Sequence, residues 1–110
     1  MSATHRLSLD AIPDDGAIET LHDSQGAGSV VVIRRGEQAY AYRNVCPHAG
    51  RLLNWAPGRF LFDKGRLVCA AHGAVFEVET GLCVDGPCRG SSLEAVSCRV
   101  TGAREVELLD

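Results

Sequence analysis

An all-β domain of antiparallel hairpins, a sandwich or small barrel, is the fold class that the 110-residue sequence predicts, on three observations. Four pairs of short apolar or alternating runs are each joined by a turn-forming cluster. The chain carries 12 glycines, and most of the turns contain one. Almost no stretch has the period of an amphipathic helix.

The elements follow in order. Residues 6–9 (RLSL) alternate weakly, and the cluster IPDDG at 12–16 ends them. Residues 17–21 make a second short strand. The β-branched run SVVVIR at 29–34 is followed, after Arg35-Gly36-Glu37, by the alternating QAYAYR at 38–43, which is a hairpin. Residues 60–62 and 66–69 flank Asp63-Lys64-Gly65 in a second hairpin. Residues 74–78 and 82–84 flank Glu79-Thr80-Gly81 in a third, and 95–100 and 105–109 flank Thr101-Gly102-Ala103 in a fourth. The expected core is Leu7, Leu9, Val31, Ile33, Tyr40, Tyr42, Leu67, Val75 and Val96. Between Asn44 and Arg59 the pattern breaks into NVCPHAGRLLNWAPGR, and long irregular segments in compact domains usually carry function.

Length and composition bound the rest. One domain spanning residues 1–110 is expected, with 45% hydrophobic and 23% charged residues, the ordinary globular range. A net charge of -3 provides no basic field for a phosphate backbone or an anionic lipid surface, so neither nucleic acid nor membrane is an expected partner. No run approaches the roughly 20 apolar residues of a membrane span, and the start MSATHRLSLD lacks the pattern of a secretory signal, so a cytoplasmic location is expected. The five cysteines are an odd number, which speaks against a disulfide framework and for metal.

Two matched fragments carry the chemistry: Cys46-Pro47-His48 and Cys69-Ala70-Ala71-His72-Gly73. Each follows an expected strand where a loop begins, so two thiolates and two imidazoles can converge from two loop tips. One tetrahedral zinc would use all four. A 2Fe-2S centre would place two Cys on one iron and two His on the other. Each loop supplies one Cys and one His, and this mixed pairing suits the asymmetric two-iron centre.

CPHAG followed by CAAHGAVF resembles the Rieske iron-sulfur family, whose pattern is Cys-x-His and then Cys-x-x-His. Ala39-Tyr40-Ala41-Tyr42 before the first loop, Gly73 and Phe76 after the second, Thr80-Gly81 and Gly86-Pro87 add to the likeness, which runs from about Leu7 to Leu108. The 20 residues between the fragments (49–68) exceed the commonest family spacing, the extra length falling at Asn54-Trp55-Ala56-Pro57-Gly58. The resemblance implies a Rieske-like fold with a cluster-binding part at about 44–90 formed by two hairpin-like loops. It implies Cys46 and Cys69 on the inner iron, with His48 and His72 on the outer iron through Nδ1, near the surface. Gly86-Pro87 resembles a third loop that covers the cluster, with Gly73, Ala74 and Phe76 also around it.

Departures from the respiratory branch matter as well. The positions of its loop-tying disulfide are Arg51 and Ala71 here, so that bridge is absent. Its hydroxyl donors to the cluster sulfurs correspond to Ala74 and Phe76, which cannot donate, so a low-potential cluster is expected, near the bottom of the roughly -150 to +300 mV Rieske range.

Plainer readings attach to the remaining residues. His5 and His22 are expected at the surface. Cys83 and Cys98 fall at apolar-compatible strand positions, and Cys88 follows Gly86-Pro87 near the cluster without being an expected ligand. Packing of the loop against the sheet is preferred for Leu52, Leu53 and Trp55 over a platform for a redox partner. Arg34-Arg35 and Arg89 read as a solvated hairpin tip and loop.

The function the resemblance implies is that of a small Rieske ferredoxin-like one-electron carrier, not an enzyme by itself, linking a flavin or pyridine-nucleotide reductase to an oxygenase or other terminal enzyme. Alternatives are an accessory module resembling the small subunit of nitrite reductase, a structural zinc or interaction module, and an iron-sulfur sensor.

Overall fold

Among the residues that the computed structural model describes (3–22, 28–47, 50 and 52–109), eleven strands pair antiparallel in three open sheets and no barrel closes. The terminal sheet has the order β1 (Ala3–Ser8), β11 (Glu105–Leu109), β10 (Cys98–Val100). The central sheet runs β2 (Ala17–His22), β3 (Gly28–Arg35), β4 (Gln38–Arg43), β9 (Ala95–Val96). The outer sheet is a meander of β5 (Leu61–Asp63), β6 (Arg66–Val68), β7 (Val75–Phe76) and β8 (Cys83–Asp85). One 3₁₀ turn, Leu9–Ala11, leads into the turn cluster after β1.

The central sheet lies between two apolar cores because its β-branched run is buried on both faces. Side chains alternate across a strand, and Val30 and Val32 join Leu9, Ile12, Val106 and Leu108 beneath the terminal sheet. Val31 and Ile33 face the other way, with Tyr42, Leu67, Phe76 and Val78 beneath the outer sheet. Each such side chain contributes roughly 1.5–3 kcal/mol when fully buried. Of the expected core, Leu9, Val31, Ile33, Tyr42 and Leu67 are buried, whereas Leu7, Tyr40, Val75 and Val96 are half-buried.

Two expectations are corrected. The single strand expected over 95–100 divides at Ser97: β9 pairs with β4, while β10 leaves the central sheet to pair with β11. A strand that passes between two packed sheets must bend, and Ser97 still accepts the N–H of Leu109 at 2.9 Å. The Arg34-Arg35 tip is not simply solvated. Arg34 donates to the Ile12 carbonyl at 3.1 Å, and Arg35 donates to the Gly65 carbonyl and the Glu79 carboxylate, tying the central hairpin to its neighbours.

Residues 44–93 leave the central sheet after β4 and return before β9, and those two strands are neighbours. The neck is closed by the Arg43 N–H on the Glu94 carbonyl and by an Arg43–Glu94 ion pair, each at 2.8 Å. The buried Tyr42 hydroxyl donates to the Val78 carbonyl at 2.6 Å, holding the outer sheet to the central one.

Asn44, fully buried just past the neck, organises the irregular segment. Its Oδ1 accepts the Leu53 N–H at 2.8 Å, and its Nδ2 donates to Asn54 Oδ1 at 2.8 Å and to Ser29 Oγ at 3.1 Å. Glu19 on β2 accepts from Ser29 at 2.7 Å and from the Gly58 N–H at 3.0 Å, so the same network anchors the segment at both ends. The Ser29 hydroxyl and the Gly58 N–H together hold the Glu19 carboxyl below its ordinary pKa.

Two outcomes are expected in urea unfolding. Tyr42→Phe loses roughly 1–2 kcal/mol by unpairing the Val78 carbonyl. Burial and the negative charge of Glu79 push the Tyr42 pKa up from 10.0 to about 12. Its stabilisation is therefore complete below about pH 10 and is lost as pH rises towards 12, so the variant shows a weaker alkaline loss than the parent. Asn44→Ala strands the buried Leu53 N–H and costs roughly 2–3 kcal/mol; an unchanged urea midpoint would remove Asn44 from this role.

Candidate metal centre

Matching hydrogen bonds close the two Cys-His fragments. In the first, the Gly50 N–H donates to the Cys46 carbonyl at 2.9 Å; in the second, the Gly73 N–H donates to the Cys69 carbonyl at 2.9 Å. Both turns close on a glycine in the left-handed region, at φ 68° and 76°, where a side chain is strained. Each fragment is thus closed by the same hydrogen bond from the fifth residue back to the first, and in sequence the His is third in CPHAG and fourth in CAAHG.

Leu53 clasps the turns together. Its N–H is held by Asn44, two residues before Cys46, and its carbonyl accepts the Ala70 N–H at 3.1 Å, one residue after Cys69. Cys46 and Cys69 are consequently buried in the same core cluster, near enough for Cys46 to affect the Cys69 thiol. Burial pushes the Cys69 thiol pKa up; the Ala71 and His72 backbone N–H groups, directed at its sulfur, oppose this, and Cys46 adds to it. Two buried soft sulfur donors, with the Cys69 thiol raised by burial and already met by N–H groups, fit an iron-thiolate centre that would supply the missing positive charge.

His72 is exposed at the turn, while His48 and Arg51 lie outside the described residues. Among the described residues no three ligand-type side chains are gathered as a metal site. His5 and His22 sit in strands, but their side chains are also outside the described set.

The surroundings follow from the outer sheet. Ala74 and Phe76 are fully buried, and the Ala74 carbonyl accepts the Cys69 N–H at 2.7 Å, so neither residue brings a side-chain donor to the sulfurs. Gly86, at φ 99°, packs so closely on the second turn that a Cβ there would lie 2.8 Å from the Ala74 Cα. Pro87 beside it is exposed. Cys88 is buried in this third loop, with its thiol pushed up by burial and then by Cys83 and Cys46. Cys83 is buried at the start of β8, and the half-buried Cys98 faces the Ala39 carbonyl at 3.6 Å.

The segment around Trp55 departs from the preferred packing. Leu53 alone turns inward, whereas Leu52 and Trp55 are 48% and 57% exposed. The small turn between Trp55 and Arg59, closed by the Trp55 N–H on the Arg59 carbonyl at 3.0 Å, directs the indole outward. Leu52 and Trp55 line a shallow groove with Gly50, Asn54, Ala70 and Ala71, next to the second turn. Asn44, Glu19 and Ser29 are absent from the sequence-level site. Only the position of Asn44 at the end of an alternating strand hinted at a role, and Glu19 is 25 residues away from it.

The family model of the Rieske [2Fe-2S] domain matches residues 10–101. A search of curated proteins finds no match. Among solved structures, the chain is similar to the ferredoxin of carbazole 1,9a-dioxygenase from Nocardioides aromaticivorans IC177, with 26% identity and a TM-score of 0.79 over 99% of this chain and 98% of that one. It is also similar to a chain in a complex of reduced oxygenase and oxidized ferredoxin in carbazole 1,9a-dioxygenase, at 24% identity and TM-score 0.73 over 94% and 92% of the two chains. A putative NADH-dependent nitrite reductase small subunit from Mycobacterium tuberculosis shares the fold, at 20% identity and TM-score 0.69 over 94% and 93%. With the family pattern over most of its length and two buried cysteines clasped in matching turns, the chain belongs to the Rieske [2Fe-2S] domain family, and its cofactor is a Rieske-type 2Fe-2S cluster.

Proposed function

We propose that this protein is a small one-electron carrier, with Cys46, His48, Cys69 and His72 as the cluster ligands. The observation that carries the proposal is the pair of clasped turns, with two sulfurs buried side by side and His72 at the surface. When bound, the cluster supplies reversible one-electron chemistry. The chain's own residues bury the sulfurs, hold the second turn through Cys69 and Ala74, and leave an imidazole edge within reach of a partner. The protein is read as one functional unit over residues 1–110, with its cluster-binding part at about 44–90, acting with an oxidoreductase system and not as an enzyme by itself.

A reductase as donor and an oxygenase as acceptor suit this reading, because similar chains are a carbazole dioxygenase ferredoxin and a chain of an oxygenase–ferredoxin complex. Among the described residues no helix is long and apolar enough to cross a membrane, and a cytoplasmic setting fits. The exposed Leu52 and Trp55 beside the second turn form the apolar part of the acceptor's footprint.

The spectrum of the purified protein is the first test. Equimolar iron and sulfide, with a rhombic EPR signal that appears on dithionite reduction and is lost in His72→Ala, is expected; stoichiometric zinc without sulfide would overturn the reading. Redox titration should give a midpoint below zero. Ala74→Ser or Phe76→Tyr should raise it by roughly 60–130 mV, the one-electron equivalent of about 1.5–3 kcal/mol for a hydrogen bond to a charged group.

Electron delivery to a Rieske oxygenase provides a separate check of the docking surface. Trp55→Ser is expected to raise the KM for the carrier roughly tenfold, about 1.4 kcal/mol, at unchanged midpoint potential. An unchanged KM would place the contact elsewhere.

A further inference from the structure

Three of the five cysteines have no part in the proposed ligand set, and two of these form a pair. Cys83 opens β8, the strand that leads into the third loop, Cys88 lies in that loop, and their sulfurs are 3.3 Å apart in the buried outer core. The Cys88 thiol points at Cys83 Sγ, while the Cys83 thiol is aligned on the Asp85 carbonyl at 3.2 Å. The backbone supports this arrangement, since the Gly90 N–H donates to the Cys83 carbonyl at 3.0 Å and the Ser91 N–H to the Cys88 carbonyl at 2.9 Å. We propose that Cys83 and Cys88 are a convertible dithiol, which a small-molecule disulfide oxidises to an intramolecular bridge across the loop that packs on the second ligand turn.

A disulfide requires sulfurs about 2.05 Å apart, so the pair must close by little more than an ångström. Cys88 is 8% exposed and Cys83 only 1%, so reaction begins at Cys88. Its sulfur gives up a proton and attacks one sulfur of the reagent, releasing one thiol. The Cys83 sulfur then gives up its proton, bonds to Cys88 and releases the second thiol. Two protein thiols are oxidised and one reagent disulfide is reduced. The bridge spans the Gly86 contact with Ala74. Cys98 faces Ala39 on a different element and is left out.

The test uses the full cluster-loaded chain under argon. It is incubated with 2-hydroxyethyl disulfide, quenched in acid, denatured and alkylated with N-ethylmaleimide. The untreated chain should take up five maleimides and the treated chain three, since the sequence has five cysteines. Cleavage after Glu79 and Arg89 should release residues 80–89 without maleimide and two hydrogens lighter than the dithiol, and dithiothreitol should restore full alkylation. Cys88→Ser should take up four maleimides before and after treatment. The readout counts thiols in denatured chain, so it stands whether or not the proposed ligand set is correct. Five maleimides after treatment, a mixed disulfide retained at Cys88, or a bridge to Cys46, Cys69 or Cys98 would overturn the proposal.

Discussion

The backbone of Leu53 is the piece on which the site depends. Its N–H is bound by the side chain of Asn44 and its carbonyl by the N–H of Ala70, so one peptide unit on each side joins two loops that are distant in the sequence. Irregular backbone inside a domain must find partners for its polar groups or bear the cost of burying them unpaired. The segment between β4 and β5 finds them in Asn44 and Glu19, and in doing so brings Cys46 and Cys69 side by side. Its length beyond the common family spacing therefore serves partly as a brace and partly as an exposed apolar edge.

That brace needs a rigid base, which the central sheet provides. With apolar cores on both faces, β3 cannot shift register by one residue without exchanging the side chains of the two cores. The outer sheet is short-stranded, and it is held through the Arg43–Glu94 neck and the Tyr42 hydroxyl on Val78. The excursion over residues 44–93 is thus a long insertion between neighbouring strands, stabilised where it leaves the sheet and where it lies back on it.

Around the sulfurs the same structure restricts the chemistry. Ala74 and Phe76 close the space without adding a hydroxyl, and Gly86 lets the third loop approach to a distance that no side chain would permit. The backbone N–H groups of Ala71 and His72 are left as donors to Cys69. Among the described residues no hydroxyl reaches the sulfurs from Ala74 or Phe76, and a site poor in such donors gives little stabilisation of an added negative charge, which is the physical basis of a low potential.

Local order along the chain was enough to read the hairpins and the metal fragments. Alternation marked 38–43, turn chemistry marked 63–65 and 79–81, and CPHAG with CAAHG marked the candidate donors, because each of these signals lies within a few residues. The tertiary structure decided what depends on distant partners. The run at 30–33 gave no sign of which neighbours its two faces would meet, and the run at 95–100 gave no sign that it divides between two sheets at Ser97. Trp55 looked like packing until the Asn44 network pulled Leu53 inward and left the indole outside. Glu19, Asn44 and Leu53 meet only once β2, β3 and the first loop are assembled, and Cys83 faces Cys88 only once the third loop folds back. Short-range pattern records the candidate donors and the turns; long-range packing determines which of them meet.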